Sequence, residues 1–575
     1  MKKISTATER NFKKLNKSLE EHEFSSRANK RESKRRIIPE EYYSDKSNVD
    51  LLLMITDKVV ESGIEKGINS LIISRLLSKK LCFKDGDTYR SDYKYIDKFI
   101  CNLKFDKNIV ELELPLNEND PIGIVYQQAL TEGEKNKKGS YYTPKHIIQK
   151  LIKETNLKGK KYCDPCCGSG SFLIESCSYV EPENIYGFDI DSIAVNISRA
   201  NLFERYPNVD FNEQIKCKNF LTSEIKESFD AIITNPPWGS MPEDGEIPLF
   251  SKISSNESFS FFIEKAIELL NDGGILNFVL PISILNVKVH KDIRNIILSC
   301  SKVEKIGLEG KCFKGVLTDV ITLELRKGFV DRYSIKVVSS SGDEFKCPVE
   351  YTKENENKVF ILLDSIDQSI FKKIIAKKKT NLSNAKFALG IVTGDNKGQL
   401  KTEQHNDLRP ILTGKEIGKY FYKQPQFFIE YDRSKFQQVC SDDFFAEKTK
   451  FLYKFISKKL VFSIDDKKNL ALNSANILVL PNDFELNNES FLAIINSNVM
   501  NYFFIKKVNQ VKILKEDLKS LPLPVFPFEL QQAFVSLLKN GEVDEQKIEQ
   551  EIYKFYELND NEIARVEEVC NGRIK

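Results

Sequence analysis

The chain has 575 residues, with 86 Lys+Arg against 83 Asp+Glu for a formal net charge of +3, and it is 41% hydrophobic and 29% charged. That length exceeds a single hydrophobic core and predicts about two to four domains, and the composition is globular rather than disordered or fibrous. No apolar run approaches the ~20 residues of a membrane span and the Lys-rich start lacks the apolar core of a signal peptide, so the expectation is a cytoplasmic protein with no membrane partner. A near-neutral balance does not announce nucleic acid, although basic residues can still gather on one face. Twelve cysteines scattered without a framework fit reduced thiols.

Residues 1–45 carry the cluster Lys30-Arg31-Glu32-Ser33-Lys34-Arg35-Arg36. They read first as a solvated, partly disordered tail and second as a basic arm for nucleic-acid backbone. From residue 49 to about 81 apolar residues recur at helical spacing, interrupted by Gly63 and Gly67, and the pattern continues through 95–100. Residues 46–138 are therefore expected to form a helical N-terminal domain, ending in a polar linker at 132–139. Thr143 then reads as an N-cap and Pro144 as the first residue of an amphipathic helix. From 139 to 328 strand and helix alternate, with strands expected at 160–165, 184–189, 230–235, 274–280, 303–308 and 318–326. Such alternation argues for an α/β domain with a mostly parallel sheet covered on both faces.

Within it, Tyr162-Cys163-Asp164-Pro165-Cys166-Cys167-Gly168-Ser169-Gly170-Ser171-Phe172-Leu173 runs a strand through a glycine turn into a helix. Backbone N–H groups in such a turn can meet a negative group. Leu173 stands where a nicotinamide fingerprint requires its third glycine, and Asp164 suits a cation better than a pyrophosphate. A ligand with both an ammonium and a carboxylate, such as the methionine end of S-adenosylmethionine, matches this loop. Cys163-x-x-Cys166 begins like half a zinc site, but no second pair follows at finger spacing and His22, His146, His290 and His405 do not complete it, so no metal is expected. Next, Tyr186-Gly187-Phe188-Asp189-Ile190-Asp191 ends a strand in carboxylates. Asp189 suits ribose hydroxyls and Asp191 suits capping of the following helix, with capping by both as the competing reading. In Cys217-Lys218-Asn219-Phe220-Leu221, Asn219 offers an acceptor to an adenine amino group and Phe220 a ring face, although the core is the commoner place for such a Phe.

The stretch Asp230-Ala231-Ile232-Ile233-Thr234-Asn235-Pro236-Pro237-Trp238-Gly239 reads as a buried strand stopped by two prolines. The rigid turn presents the Asn235 amide, the Pro236 carbonyl and the chain's single tryptophan. Two acceptors beside a flat apolar face suit a planar ring bearing an amino group, set against a plain strand-ending turn. Residues 329–528 mix strand-like runs (358–363, 426–429, 459–464, 477–480) with helices, and 529–575 form a last helical segment after Leu521-Pro522-Leu523-Pro524.

Taken in order, Gly139-x-Tyr141-Tyr142-Thr143-Pro144, Asp164-Pro165-x-x-Gly168-x-Gly170-x-Phe172, Asp189, Asn219-Phe220 and Asn235-Pro236-Pro237-Trp238 resemble the motif series of gamma-class N6-adenine DNA methyltransferases. The stretches 390–396, 409–417 and 521–524 resemble, more weakly, the target-recognition domain of TaqI-like enzymes. The resemblance implies a Rossmann-like S-adenosylmethionine-dependent methyltransferase domain whose last strand is antiparallel, followed by an α+β target-recognition domain. It also implies a flipped adenine in double-stranded DNA, and either the modification enzyme of a restriction-modification system, with a cognate restriction endonuclease or specificity subunit as a partner, or an orphan enzyme. Carried over by position, Asn235, Pro236, Pro237 and Trp238 are the catalytic set. Tyr142, Thr143, Asp164, Pro165, Gly168, Gly170, Phe172, Asp189, Asn219 and Phe220 line the cofactor pocket. Asn219 stands where the family usually has Asp, and Trp238 where it has Tyr; a further base-packing aromatic falls near His290. Lys372, Lys373, Lys377, Lys378 and Lys379, or Lys448, Lys450, Lys454, Lys458 and Lys459, form the expected basic rim, unless they are ordinary solvated lysines. Alternatives are a methyltransferase of RNA or of a protein glutamine, a fused restriction-modification enzyme with nuclease activity, and a DNA-binding protein without activity.

Overall fold

Apolar spacing in the N-terminal part produces the helices Val49–Ser62 and Ile64–Ser78, and the chain turns between them at Gly63, where φ is 88°. The two helices meet so closely that a Cβ on Gly67 would stand 2.9 Å from the Val59 Cα. The computed structural model describes residues 38–130, 142–239, 247, 251–255, 257–313, 318–353, 358–508, 512–538 and 543–572. The basic cluster 30–36, the linker 132–139 and Tyr141 lie outside them. A hairpin of β1 (Phe83–Asp85) and β2 (Thr88–Arg90) and the helices Lys94–Ile100 and Pro121–Ala129 complete this region.

Residues 46–138 and 139–328, read from the sequence as two domains, share one hydrophobic core that runs from Ile38 to Val320. The helix Ile64–Ser78 is buried without a break from Gly67 to Leu76, and a helix buried all round needs more than one neighbour. The Phe99 ring lies 5.6 Å from that of Phe203, and buried Arg75 donates to Glu204 at 2.7 Å and to the carbonyls of Pro115 and Glu118.

The sheet is built from β3 (Tyr162–Asp164), β4 (Ile185–Asp189), β5 (Ile215–Cys217), β6 (Phe229–Thr234), β7 (Leu270–Pro281), β8 (Ser301–Gly310), β9 (Val320–Lys327), β10 (Ser334–Val338) and β11 (Glu344–Pro348). Their order is β11-β10-β8-β9-β7-β6-β3-β4-β5. Neighbours from β5 to β7 are parallel, whereas β9 runs antiparallel to both β7 and β8, as the resemblance implied. The six expected strands are present; β5 and the β10–β11 pair are additional. Because that pair extends the sheet, the described residues divide between Phe360 and Ile361 rather than at 328. The expected strand at 358–363 is irregular chain instead, with Lys358 at φ 51° and the Phe360 N–H tied to the Leu285 carbonyl at 2.8 Å. Pro144, not Thr143, occupies the N-cap of the helix Lys145–Glu154.

The second unit is α+β. One sheet joins β12 (Lys386–Ala388), β15 (Lys450–Lys454), β16 (Phe462–Asp465) and β18 (Ala475–Val479). Another joins β13 (Leu408–Leu412), β14 (Phe427–Glu430) and β17 (Leu470–Ala471). The C-terminal helix Asp560–Cys570 belongs to the same unit, where Glu562 pairs with Lys373 of the helix Ser365–Ala376 at 2.6 Å. No helix among the described residues is long and apolar enough to cross a membrane.

Candidate active site

The strand order reverses on either side of β3, so the crevice beyond the carboxyl ends of β3, β4 and β6 is where an open α/β sheet takes a ligand. Asp164, Gly168, Gly170 and Asp189, proposed for the cofactor, and the 235–238 turn gather at that edge. Asp164 ends β3 and is 1% exposed; it accepts from the Thr234 hydroxyl at 2.5 Å and from the Cys166 N–H at 3.2 Å. Burial pushes its carboxyl up to about 7, neighbouring Asp189 adds to the rise, and the Thr234 and Cys166 hydrogen bonds oppose it. Thr234 is the last residue of β6, immediately before Asn235. The Cys166 thiol also meets the Thr234 hydroxyl at 3.0 Å and reaches the Asn235 carbonyl at 3.7 Å. The glycine loop and the Asn-Pro-Pro-Trp turn are thus joined by direct bonds.

Gly168 and Gly170 have φ of 53° and 90°, a left-handed geometry that favours glycine. The Gly168 N–H donates to Asp189 Oδ2 at 2.9 Å, and the Asp191 N–H donates to Asp189 Oδ1 at the same distance. Asp191 caps the helix Ser192–Phe203 through the amides of Ile193 and Ala194, while Asp189 does not. Between them Ile190 leaves 60% of its surface exposed, an apolar face beside the carboxylate that sequence reasoning did not single out. Tyr142 and Thr143 form part of a cleft flanking the glycine turn, together with Glu118, Asp120, Lys145 and Ser171. Burial, reinforced by Asp120, holds the Tyr142 phenol well above its ordinary range, so its hydroxyl stays a donor.

Other expected residues have structural surroundings. Phe172 is 5% exposed in the core, and Pro165 is buried at the end of β3. Phe220 is 1% exposed, stacked on Phe262 at 5.8 Å and tilted against Phe188, so its faces are taken by aromatic neighbours. The Asn219 side-chain oxygen accepts the Leu221 N–H at 2.9 Å in a local turn. His290 is 3% exposed against the Phe259 ring, which removes it as a stacking surface. Burial raises the Cys163, Cys166 and Cys167 thiols, and no group of three metal-ligating side chains is gathered among the described residues.

In the Asn-Pro-Pro-Trp turn Pro236 is buried, while Asn235, Pro237 and Trp238 are half-buried. The Trp238 indole N–H donates to the Val279 carbonyl of β7 at 3.2 Å, and its ring meets Phe313 edge-on at 5.2 Å. These two contacts fix the indole plane.

This strand order, with its antiparallel β9 and with acidic residues ending β3 and β4, is that of the S-adenosylmethionine-dependent methyltransferase fold. The N-6 DNA methylase family matches residues 117–361, and the TaqI-like C-terminal specificity domain matches 409–523. A type II methyltransferase, M.VspI of Vibrio sp. (strain 343), is 32% identical over 314 residues, spanning 52% of this chain and 76% of that protein. Another, M.CvrRI of Paramecium bursaria Chlorella virus XZ-6E, is 26% identical over 37% of this chain and 55% of its own length. The solved structure of the type IIL restriction-modification enzyme MmeI in complex with DNA shares the fold, with a TM-score of 0.52 at 14% identity over 81% of this chain and 83% of that one. The chain belongs to the N-6 DNA methylase family, as a DNA adenine methyltransferase with a TaqI-like specificity domain.

In the C-terminal unit the structure corrects the expected basic rim at Lys450, while Lys372, Lys378 and Lys379 are exposed. Lys450 is fully buried and paired with Asp465 at 2.7 Å, so it cannot reach DNA. Lys373 and Lys377 are paired with Glu562 and Glu557. Lys448 and Lys458 are exposed, and no ion pair neutralises them among the described residues.

Proposed function

We propose that the chain uses S-adenosylmethionine to methylate N6 of an adenine flipped out of duplex DNA, at a sequence chosen by its C-terminal unit. The observation that carries this reading is the 2.5 Å bond between Thr234 and Asp164, which fixes the amine-binding turn to the cofactor loop. The pocket residues fit the cofactor. A buried carboxylate that resists ionisation alone suits a cationic amino group, Asp189 suits ribose hydroxyls, and the exposed Ile190 face suits a flat base. When bound, the cofactor supplies an electrophilic methyl on a sulfonium.

A base inside the stack is out of reach, so flipping costs a few kcal/mol. Trp238 offsets part of that by stacking, held in plane by its bond to Val279. The N6 lone pair is delocalised into the ring and is a poor nucleophile. The Asn235 side-chain oxygen and the Pro236 carbonyl accept its two hydrogens, favour a tetrahedral nitrogen and stabilise the positive charge that develops there. Both acceptors are preorganised, because two successive prolines restrict the turn. Neither is a base at neutral pH, so the surplus proton leaves to water after the nitrogen has become cationic. Alignment supplies most of the remaining acceleration.

The acceptor is tested by offering the purified chain labelled S-adenosylmethionine with duplex DNA, tRNA or a release factor. Label in adenine of duplex DNA alone is the expected result; label in tRNA or in a glutamine side chain would replace this reading. A modification enzyme paired with a separate endonuclease or specificity subunit is the proposed context. The Glu344-Phe345-Lys346 triplet, which has the form of a nuclease motif, lies on β11 with Glu344 ion-paired to Lys336 at 2.7 Å. Plasmid incubated with the chain and Mg²⁺ should accordingly stay uncut.

A further inference from the structure

We propose that Asp120 and the helix it starts, Pro121–Ala129, are the positioning element of the cofactor pocket, holding the glycine turn and the end of β4 together from outside the sheet. The proposal rests on the assignment of the glycine turn and Asp189 to the cofactor. Asp120 caps its helix by accepting the Gly123 N–H on Oδ1 at 2.9 Å. The same oxygen accepts from Asn201 Nδ2 at 2.9 Å, while Oδ2 accepts the Tyr142 hydroxyl at 2.7 Å and the Ser169 hydroxyl. Ser169 is the residue between the two glycines of the turn, and Asn201 also donates to its carbonyl at 3.0 Å. A single carboxylate therefore holds the side chain of the turn directly and its main chain through Asn201.

Farther along the same helix, the Tyr126 hydroxyl donates to Asp191 Oδ2 at 2.5 Å, and the Asp191 N–H donates to Asp189. Both walls of the pocket are thus tied to one helix. The close approach is built in at Gly123, where a Cβ would lie 1.9 Å from the Tyr142 oxygen and 2.1 Å from Asp120 Oδ2. Four donors converge on two acceptor oxygens. An amide has one acceptor oxygen and an NH₂ group, so Asp120→Asn keeps the shape but loses the charge, and it either sets an N–H against the Gly123 and Asn201 donors or forces the Tyr142 and Ser169 hydroxyls to turn from donors into acceptors.

Calorimetric titration of the full chain with S-adenosylmethionine separates positioning from simple support. For Asp120→Asn the expected result is a Kd raised about ten-fold or more with unchanged stoichiometry, the scale of losing hydrogen bonds to a charged group. Adding Ser169→Ala should weaken binding by no more than about two-fold further, because both changes remove the same contact. A lower stoichiometry with an unchanged Kd in the folded fraction would mean that Asp120 only supports the fold, and would overturn the proposal. If Asp120→Asn does not fold, Tyr126→Phe and Ser169→Ala decide: each raises Kd about three-fold or more, the cost of a lost hydrogen bond, or the proposal falls. Asp189→Ala is the reference. Weak binding in Asp189→Ala beside normal binding in the Asp120, Tyr126 and Ser169 variants overturns the positioning role alone; normal binding in all of them overturns the pocket assignment and the proposal with it.

Discussion

Asn235 follows directly on a threonine whose hydroxyl is committed to Asp164, so the amide proposed for catalysis is anchored through the backbone of the strand that delivers it. Asn235→Ala removes one of the two acceptors for N6 and should abolish methyl transfer while S-adenosylmethionine binding, read by calorimetry, stays near wild type; retained turnover would contradict the assignment. Trp238→Ala removes the stacking face, and base–aromatic stacking of ~1–3 kcal/mol predicts DNA binding about 5- to 150-fold weaker. Fluorescence of 2-aminopurine at the target position should fall short of the wild-type signal in that variant, whereas Trp238→Phe should keep most of it. Asp164 gives a pH dependence. Burial raises its folded-state carboxyl to about 7, above the unfolded value of about 3.9, so in the cofactor-free chain its contribution to stability is lost as pH rises between those values. A bound ammonium favours the ionised form, so S-adenosylmethionine affinity should climb up to about pH 7 and level off above it. Calorimetry in buffers of different ionisation enthalpy should detect proton release at pH 6, and proton uptake there would contradict the role.

The glycine turn carries the clearest prediction among the elements. Gly170 has φ of 90°, and a Cβ there would lie 2.6 Å from the Ser198 hydroxyl. Gly170→Ala meets both obstacles; the left-handed backbone alone costs roughly 1–2 kcal/mol, so a lower melting temperature and weaker cofactor binding are expected. The strands that carry the site were legible in the sequence because each is a short apolar run ended by a carboxylate, a glycine turn or paired prolines. β5 was not, since its three residues are bounded by no such signal, nor was the β10–β11 pair, although Ser334–Val338 and Glu344–Pro348 each begin with alternating polar and apolar residues. Asp120 reads locally as an N-cap before proline, which it is. Its other partners lie 22, 49 and 81 residues away, and no local pattern reports them. Phe220 shows the converse limit: an aromatic next to an acceptor looks the same in sequence whether its faces meet a ligand or Phe262 and Phe188.

Across the whole molecule the chain divides between Phe360 and Ile361, with the match to the N-6 DNA methylase family, residues 117–361, almost wholly before that point and the match to the TaqI-like specificity domain after it. The near-balanced charge of +3 conceals lysines with quite different environments, from fully buried Lys450 to exposed Lys448 and Lys458. Replacing Lys448 and Lys458 by Gln should weaken DNA binding across all sequences and lower the slope of log affinity against log salt by about one per lost phosphate contact. An unaltered salt slope would show that neither lysine meets the backbone. The central claim, that the 235–238 turn methylates adenine N6 in DNA, is tested most directly by modification-sensitive sequencing of DNA from cells expressing the chain or its Asn235→Ala variant. The account predicts N6-methyladenine at one defined sequence context with the wild-type chain and none above background with the variant. Modified cytosine, adenine methylation without a sequence context, or the same signal from Asn235→Ala would contradict it.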